Sequence, residues 1–260
     1  MRTPLSIAVA QPPCVPYDVA ANVAAHAATV RRVGTRLVVF PELSLTGYHM
    51  DAANLALDDA RLGPLIDACT ELNVLALVGA PVAGAAQRSH IGLLALDRTG
   101  ARVAYRKLYP GDEEAGRFAP GPAPVAFEVD GWRLGLAICR DTSIARHSAD
   151  TAELGIDAYV ACTLMFDHET DLQNARSAEI ARRHRVWVAV ASFAGSTGEG
   201  YERCAGCSGV WAPDGTLLSQ VGPAPGTFAR AELGVSPSAA PAGAAAADSD
   251  RSRRAASPAR

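Results

Sequence analysis

The chain has 260 residues, 49% of them hydrophobic and 20% charged, with a formal net charge of −3. This is the composition of a soluble globular protein, and it carries no basic field of the kind nucleic acid demands. No apolar run approaches the roughly eighteen residues of a membrane span, and six cysteines in a chain this long make no disulfide framework, so reduced thiols are expected.

The opening MRTPLSIAVAQPPC has too short an apolar run for a signal-peptide core, and Pro12 and Pro13 end it. Residues 5–11 read as the first strand of a cytoplasmic protein. Asp18 to Arg32 reads as a helix with Val19, Val23 and Val30 on one face and Gly34 as its stop. RLVVF (36–40) is a strand ended by Pro41, 62–73 a helix, and 74–82 and 91–97 strands. Residues 98–107 turn and run extended, and 125–139 make two strands around Asp130-Gly131. Residues 152–165 are a helix end, Gly155, then a strand; Thr170 to His184 is a helix, 186–193 a strand, and 207–221 a hairpin around Pro213-Asp214-Gly215. The mixture argues an α/β fold with a mixed sheet. No boundary shows before about residue 234, so 1–233 reads as one domain. Residues 234–260 are Ala, Pro, Ser and charge, too poor in apolar surface to offset ordering, and read as a disordered tail.

Polar residues just after strands are where sites collect in open α/β sheets, because a rigid strand fixes the position of the next residue. Glu42 in VVFPELSLTGY comes after an apolar strand; it is either a solvated loop Glu or a carboxylate that needs a partner. Lys107 in AYRKLYPGDEEAGRFAPG ends an extended arm before Asp112, Glu113 and Glu114; it is either a surface hairpin tip or part of a site. Cys139 in GLAICRDT ends a buried strand; it is either core filling or a nucleophile, and a nucleophile needs a base or cation to supply the thiolate. Glu42 and Lys107 are the right types of help. Cys204 and Cys207 have CxxC spacing, but no second ligand pair accompanies them, so no metal site is read there.

Together and in this order, FPELSLTGY, YRKLYPGDEEAGRFAPG and GLAICRD resemble the signatures of the nitrilase, or carbon–nitrogen hydrolase, superfamily. The resemblance runs from IAVAQ to SGVWAPDGTLL. It implies an α-β-β-α four-layer sandwich with two mixed sheets, paired into homodimers or higher homo-oligomers, and a cytoplasmic enzyme that needs no cofactor. It also implies Glu42 as base, Lys107 as oxyanion stabiliser and Cys139 as nucleophile, with a second glutamate before Phe118-Ala119-Pro120-Gly121. Glu114 is the best match for that second glutamate and Glu113 the fallback. The implied reaction is hydrolysis of a non-peptide C–N bond in a small amide, through a Cys thioester. Arg140-Asp141 stands where nitrilases proper usually carry Trp-Glu, and SIARHS (143–148) replaces an FPE-like element, which argues for an amide over a nitrile. Tyr48 and Met165 either shape the pocket or pack its rim, Arg140 either binds a substrate carboxylate or faces solvent, and His147 is a further pocket candidate in the loop after Cys139. The competing readings are an N-carbamoyl or ureido hydrolase and a non-catalytic scaffold of the same fold.

Overall fold

Along the first strand, Leu5, Ile7 and Val9 face one apolar cluster while Ala8 and Ala10 face another. A period-two pattern that is apolar on both faces needs cover on both, and the architecture meets that need. A computed structural model describes residues 2–84, 88–198 and 200–234. The expected tail, apart from Gly234, lies outside the described residues.

One six-stranded sheet has the order β14-β1-β2-β3-β4-β5. Its members are β1 (Leu5–Gln11), β2 (Leu37–Val39), β3 (Leu75–Ala83), β4 (Ser89–Asp97), β5 (Gly100–Arg106) and β14 (Thr227–Leu233). The other six-stranded sheet has the order β13-β12-β9-β8-β7-β6. It comprises β6 (Ala126–Val129), β7 (Trp132–Ile138), β8 (Ala158–Thr163), β9 (Trp187–Ser192), β12 (Gly209–Trp211) and β13 (Leu217–Gln220). Both sheets are mixed, with parallel β1-β2-β3 and β7-β8-β9 at their centres. A two-stranded ribbon, β10 (Ala194–Gly195) with β11 (Cys204–Ala205), stands apart.

The inner faces meet in one core, where Ile7, Val9, Leu37, Val39 and Leu77 pack with Leu134, Leu136, Ile138 and Val160. Each such fully buried aliphatic side chain contributes about 1.5–3 kcal/mol. Helices α1 (Val19–Val33) and α2 (Gly63–Leu72) cover the outer face of the first sheet through Val23, Val30, Leu65 and Ala68. Helices α3 (Ala145–Glu153) and α4 (Thr170–His184) cover the second, with Ile180 and Ala181 of α4 against Tyr159 and Val188. The result is the expected α-β-β-α sandwich. Helix α1 begins where its cap residue lies: the Asp18 carboxylate accepts from the Ala21 N–H at 2.9 Å, and Gly34 closes it at φ 61°.

Three features depart from the sequence reading. Helix α3 starts at Ala145, where the sequence reading kept His147 in a loop and placed only a helix end from residue 152. The ribbon β10-β11 was not expected. Nor was β14, which pairs antiparallel with the whole of β1, from Leu5 opposite Leu233 to Gln11 opposite Thr227. Among the described residues no helix is long and apolar enough to cross a membrane.

Candidate active site

Four strands deliver the candidate residues to one edge of the sandwich. β2 runs into Pro41 and Glu42, β5 into Lys107, β7 into Cys139 and β8 into Leu164. Within the first sheet β5 runs parallel to β2, because two antiparallel steps restore the direction of β3, and within the second β7 runs parallel to β8. Backbone bonds pin the loops: Lys107 N–H donates to Ile91 O at 2.9 Å and Gly121 N–H to Lys107 O at 2.7 Å. Residues 108–121 therefore fold back over β4, and Phe118 is fully buried beneath them.

Lys107 Nζ donates to Glu42 Oε1 and to Glu114 Oε1, each at 2.7 Å. All three side chains are at most 2% exposed. Glu114 also accepts from Tyr48 OH at 2.6 Å and from the Gly111 N–H. Glu113 is exposed, with Tyr201 OH 3.5 Å from its carboxylate. The structure thus brings Glu42, Lys107 and Glu114 together and leaves Glu113 at the surface. Glu42 Oε2 is buried and has no hydrogen-bond partner among the described residues. Two of the three ammonium N–H bonds are committed, which leaves the third for an incoming oxygen.

The charges decide the resting protonation. Burial pushes the Glu42 carboxyl up, Lys107 opposes this and Glu114 adds to it, leaving it at about 7. Burial works against a charged Lys107, but Glu42, Cys139 and Glu114 around it outweigh that and hold it protonated. Burial, and then Glu42, push the Cys139 thiol up, so it rests as a thiol. When Glu42 is ionised, passing the thiol proton to it only moves a negative charge from oxygen to sulfur, so the transfer adds no charge to a desolvated site.

Cys139 sits at φ 46°, in the left-handed region that a residue with a Cβ enters only under strain of order 1–3 kcal/mol. The strain is held by the short 3-10 turn Cys139–Ser143 and by Asp141 at its centre, which is fully buried. Asp141 Oδ2 accepts from Ile138 N–H at 2.9 Å and Tyr105 OH at 2.8 Å, and Oδ1 accepts from Tyr109 N–H at 2.9 Å. One carboxylate therefore ties the end of β7 to the strand and loop that carry Lys107. Asp141, read from sequence as half of a specificity doublet, is a structural tie. The Cys139 thiol donates to Leu164 O at 3.4 Å.

A sequence model of carbon–nitrogen hydrolases matches residues 6–233. The chain belongs to the carbon–nitrogen hydrolase family. A Pseudomonas protegens protein described as a hydrolase in the pqqF 5′ region is 28% identical over 231 residues, 84% of this chain and 79% of that protein. Saccharomyces cerevisiae Nit3, of the nitrilase superfamily, superposes with a TM-score of 0.77 at 18% identity, covering 88% of this chain and 90% of its own. A nitrilase-superfamily amidase of Nesterenkonia sp. AN1 superposes at 0.78 with 23% identity over 88% and 90%. Another structure of that amidase, at 22% identity, a TM-score of 0.79 and coverage of 88% and 93%, shows Michael addition of acrylamide at its active-site cysteine.

The remaining candidates of this carbon–nitrogen hydrolase fall in different places. Tyr48 is half-buried on the site, its N–H donating to Thr197 Oγ1 at 2.7 Å. It lines an opening of about 260 Å³ with Met50, Asp51, Glu113 and Tyr201. Arg140 is exposed on the rim, 3.2 Å from an exposed Asp112. Met165 is buried and lines a small cavity between β8, β9 and α4 with Thr163, Gln173 and Ile180, on the helix side of the sheet. His147 lies on α3, fully buried, within hydrogen-bond reach of Tyr105 and Tyr159 and outside the opening. Sequence reading missed the aromatic rim, in which Tyr201 meets Tyr48 edge-on at 4.7 Å and stacks on Phe166 at 5.4 Å. Among the described residues no three His, Cys, Asp or Glu side chains gather as a metal would need.

Proposed function

We propose that this protein hydrolyses the C–N bond of a small linear amide through a thioester on Cys139. The observation that carries the reading is the unpaired, buried Glu42 Oε2: its sister oxygen Oε1 accepts from Lys107, which Glu114 holds in turn, beside a cysteine in a strained turn. Glu42 takes the thiol proton and Sγ attacks the carbonyl carbon. The third N–H of Lys107 and the backbone N–H of Arg140 receive the oxyanion; losing one such donor costs about two to three orders of magnitude in rate. Glu42 then returns the proton to the leaving nitrogen, and ammonia or an amine departs. Water gives a proton to Glu42 and its oxygen to the thioester carbon. Release of the acid and return of the proton to sulfur restore the enzyme. A base that becomes an acid works best with a pKa near the working pH, and Glu42 lies at about 7.

Glu114 holds Lys107 in place, Tyr48 walls the pocket and Arg140 offers a guanidinium to a substrate carboxylate at the rim. The amidase of Nesterenkonia sp. AN1, seen in complex with butyramide, supports a small amide as the substrate class. The test is ammonia release from a panel of short amides and N-carbamoyl amino acids by the wild type and by Cys139→Ala, Lys107→Ala and Glu42→Ala. All three variants should be inactive. Substantial activity in Cys139→Ala would sink the mechanism, and carbon dioxide released with ammonia would mark a carbamoyl substrate.

A further inference from the structure

Behind the nucleophile turn runs a buried chain of hydrogen bonds that the reaction scheme does not use. Tyr105 OH donates to Asp141 Oδ2 at 2.8 Å, so its lone pair must accept from its other neighbour, His147 Nε2, 2.9 Å away. His147 then carries its proton on Nε2, and its Nδ1 accepts from Tyr159 OH at 2.9 Å. The bonds run in one direction, Tyr159 to His147 to Tyr105 to Asp141, and end on a carboxylate, where such a chain is strongest. None of the four side chains is more than 2% exposed. The neutral tautomer is the one burial favours.

The chain also spans the elements that must be kept in mutual aim. Tyr105 lies two residues before Lys107, on the same face of the extended arm. Asp141 lies two residues after Cys139 and binds Ile138 N–H and Tyr109 N–H. His147 is delivered by α3, and Tyr159 by β8 next to β7. Fixing the Tyr105 hydroxyl on Asp141 therefore fixes the Lys107 arm against the Cys139 turn.

We propose that His147 is a positioning residue: through Tyr105 and Asp141 it sets the aim of Cys139 at Lys107 without touching substrate. The proposal rests on Cys139 being the nucleophile. His147→Phe removes both ring nitrogens, His147→Gln restores a donor towards Tyr105, and Tyr159→Phe removes only the outer hydroxyl. The first readout needs no substrate: the alkylation rate of Cys139 by iodoacetamide, tracked by peptide mass spectrometry. The second is kcat and KM for butyramide, and the third is Tm. His147→Phe should slow alkylation and lower kcat in parallel by about tenfold or more, with KM nearly unchanged. His147→Gln should recover a substantial part, and Tyr159→Phe should lie between it and the wild type. If His147→Phe lowers Tm while alkylation and kcat stay at wild-type values, the residue is structural only and the proposal fails. If His147→Phe does not fold, Tyr159→Phe and His147→Gln at wild-type alkylation rates overturn it equally. Full activity in Cys139→Ala would instead defeat the nucleophile assignment, a result separate from any of these.

Discussion

Gly79 on β3 lies directly beneath the loop that carries the proposed base. A Cβ at this position would stand 2.3 Å from Leu43 N, 2.5 Å from Pro41 O and 2.8 Å from the Glu42 carbonyl carbon. Ordinary contact begins near 3.4 Å, and all three atoms are backbone, so no side chain can rotate out of the way. The loop is also tied down, with Leu45 N–H donating to Gly79 O at 3.1 Å. Gly79→Ala must therefore lift the Glu42 backbone by about 1 Å, and a misplacement of that size costs about a hundredfold in rate. Overpacking of this kind costs about 1–3 kcal/mol of stability. For a domain of this size that is a Tm loss of about 2–4 °C per kcal/mol. The assay is kcat for the best amide of the panel, measured well below Tm alongside thermal unfolding of both proteins. A kcat within twofold of wild type, with Tm unchanged, would refute the idea that β3 seats the base.

As the proposed base, Glu42 should set the pH profile. Its carboxyl is raised to about 7 and must be unprotonated to accept the thiol proton, so kcat/KM should climb about tenfold per pH unit up to that value and then level. A profile flat from pH 5 to 8 would show that burial does not raise the Glu42 carboxyl into that range. Lys107→Met leaves two buried carboxylates without their cation, and breaking a buried pair in this way costs about 3–5 kcal/mol. The sign with pH is the unusual one. A carboxylate whose folded pKa is raised gains stability as pH falls through that value, so Tm of Lys107→Met should rise on going from pH 8 to 6, and a fall would contradict the buried pairing.

Where apolar residues recur at a regular period, the elements were legible. The alternation of β1 and β7 and the Val19, Val23, Val30 stripe of α1 place those elements to within a residue or two. Only the end of helix α3 was legible, because the residues it buries are His147, Ser148 and Thr151, a polar stripe that no hydrophobic period reveals. β10 and β11 are two residues each, too short for any period. β14 depends on a partner more than two hundred residues away. The site divides in the same way. Glu42, Lys107 and Cys139 could be named from flanking motifs, but their meeting arises from packing two sheets face to face. The tie made by Asp141 was not legible because its work is done by a side chain turned inward, and a lone Asp beside an Arg in a loop gives no sign of that. Nor does spacing link Tyr48 to Glu114, although they share a hydrogen bond across 66 positions.

The pairing of β14 with β1 sets an order on biosynthesis. β1 leaves the ribosome more than two hundred residues before β14 and presents unpaired N–H and C=O groups of residues 5–11 until residues 227–233 arrive to cover them. Gln11 waits in the same way, since its side chain bonds Gly222 O, Ala224 O and Ser208 N–H, all late in the chain. A nascent or truncated chain lacking β14 would expose a sheet edge of the kind that templates aggregation. Recombinant fragments ending before residue 227 should thus partition to the insoluble fraction even though every residue of the proposed site is present.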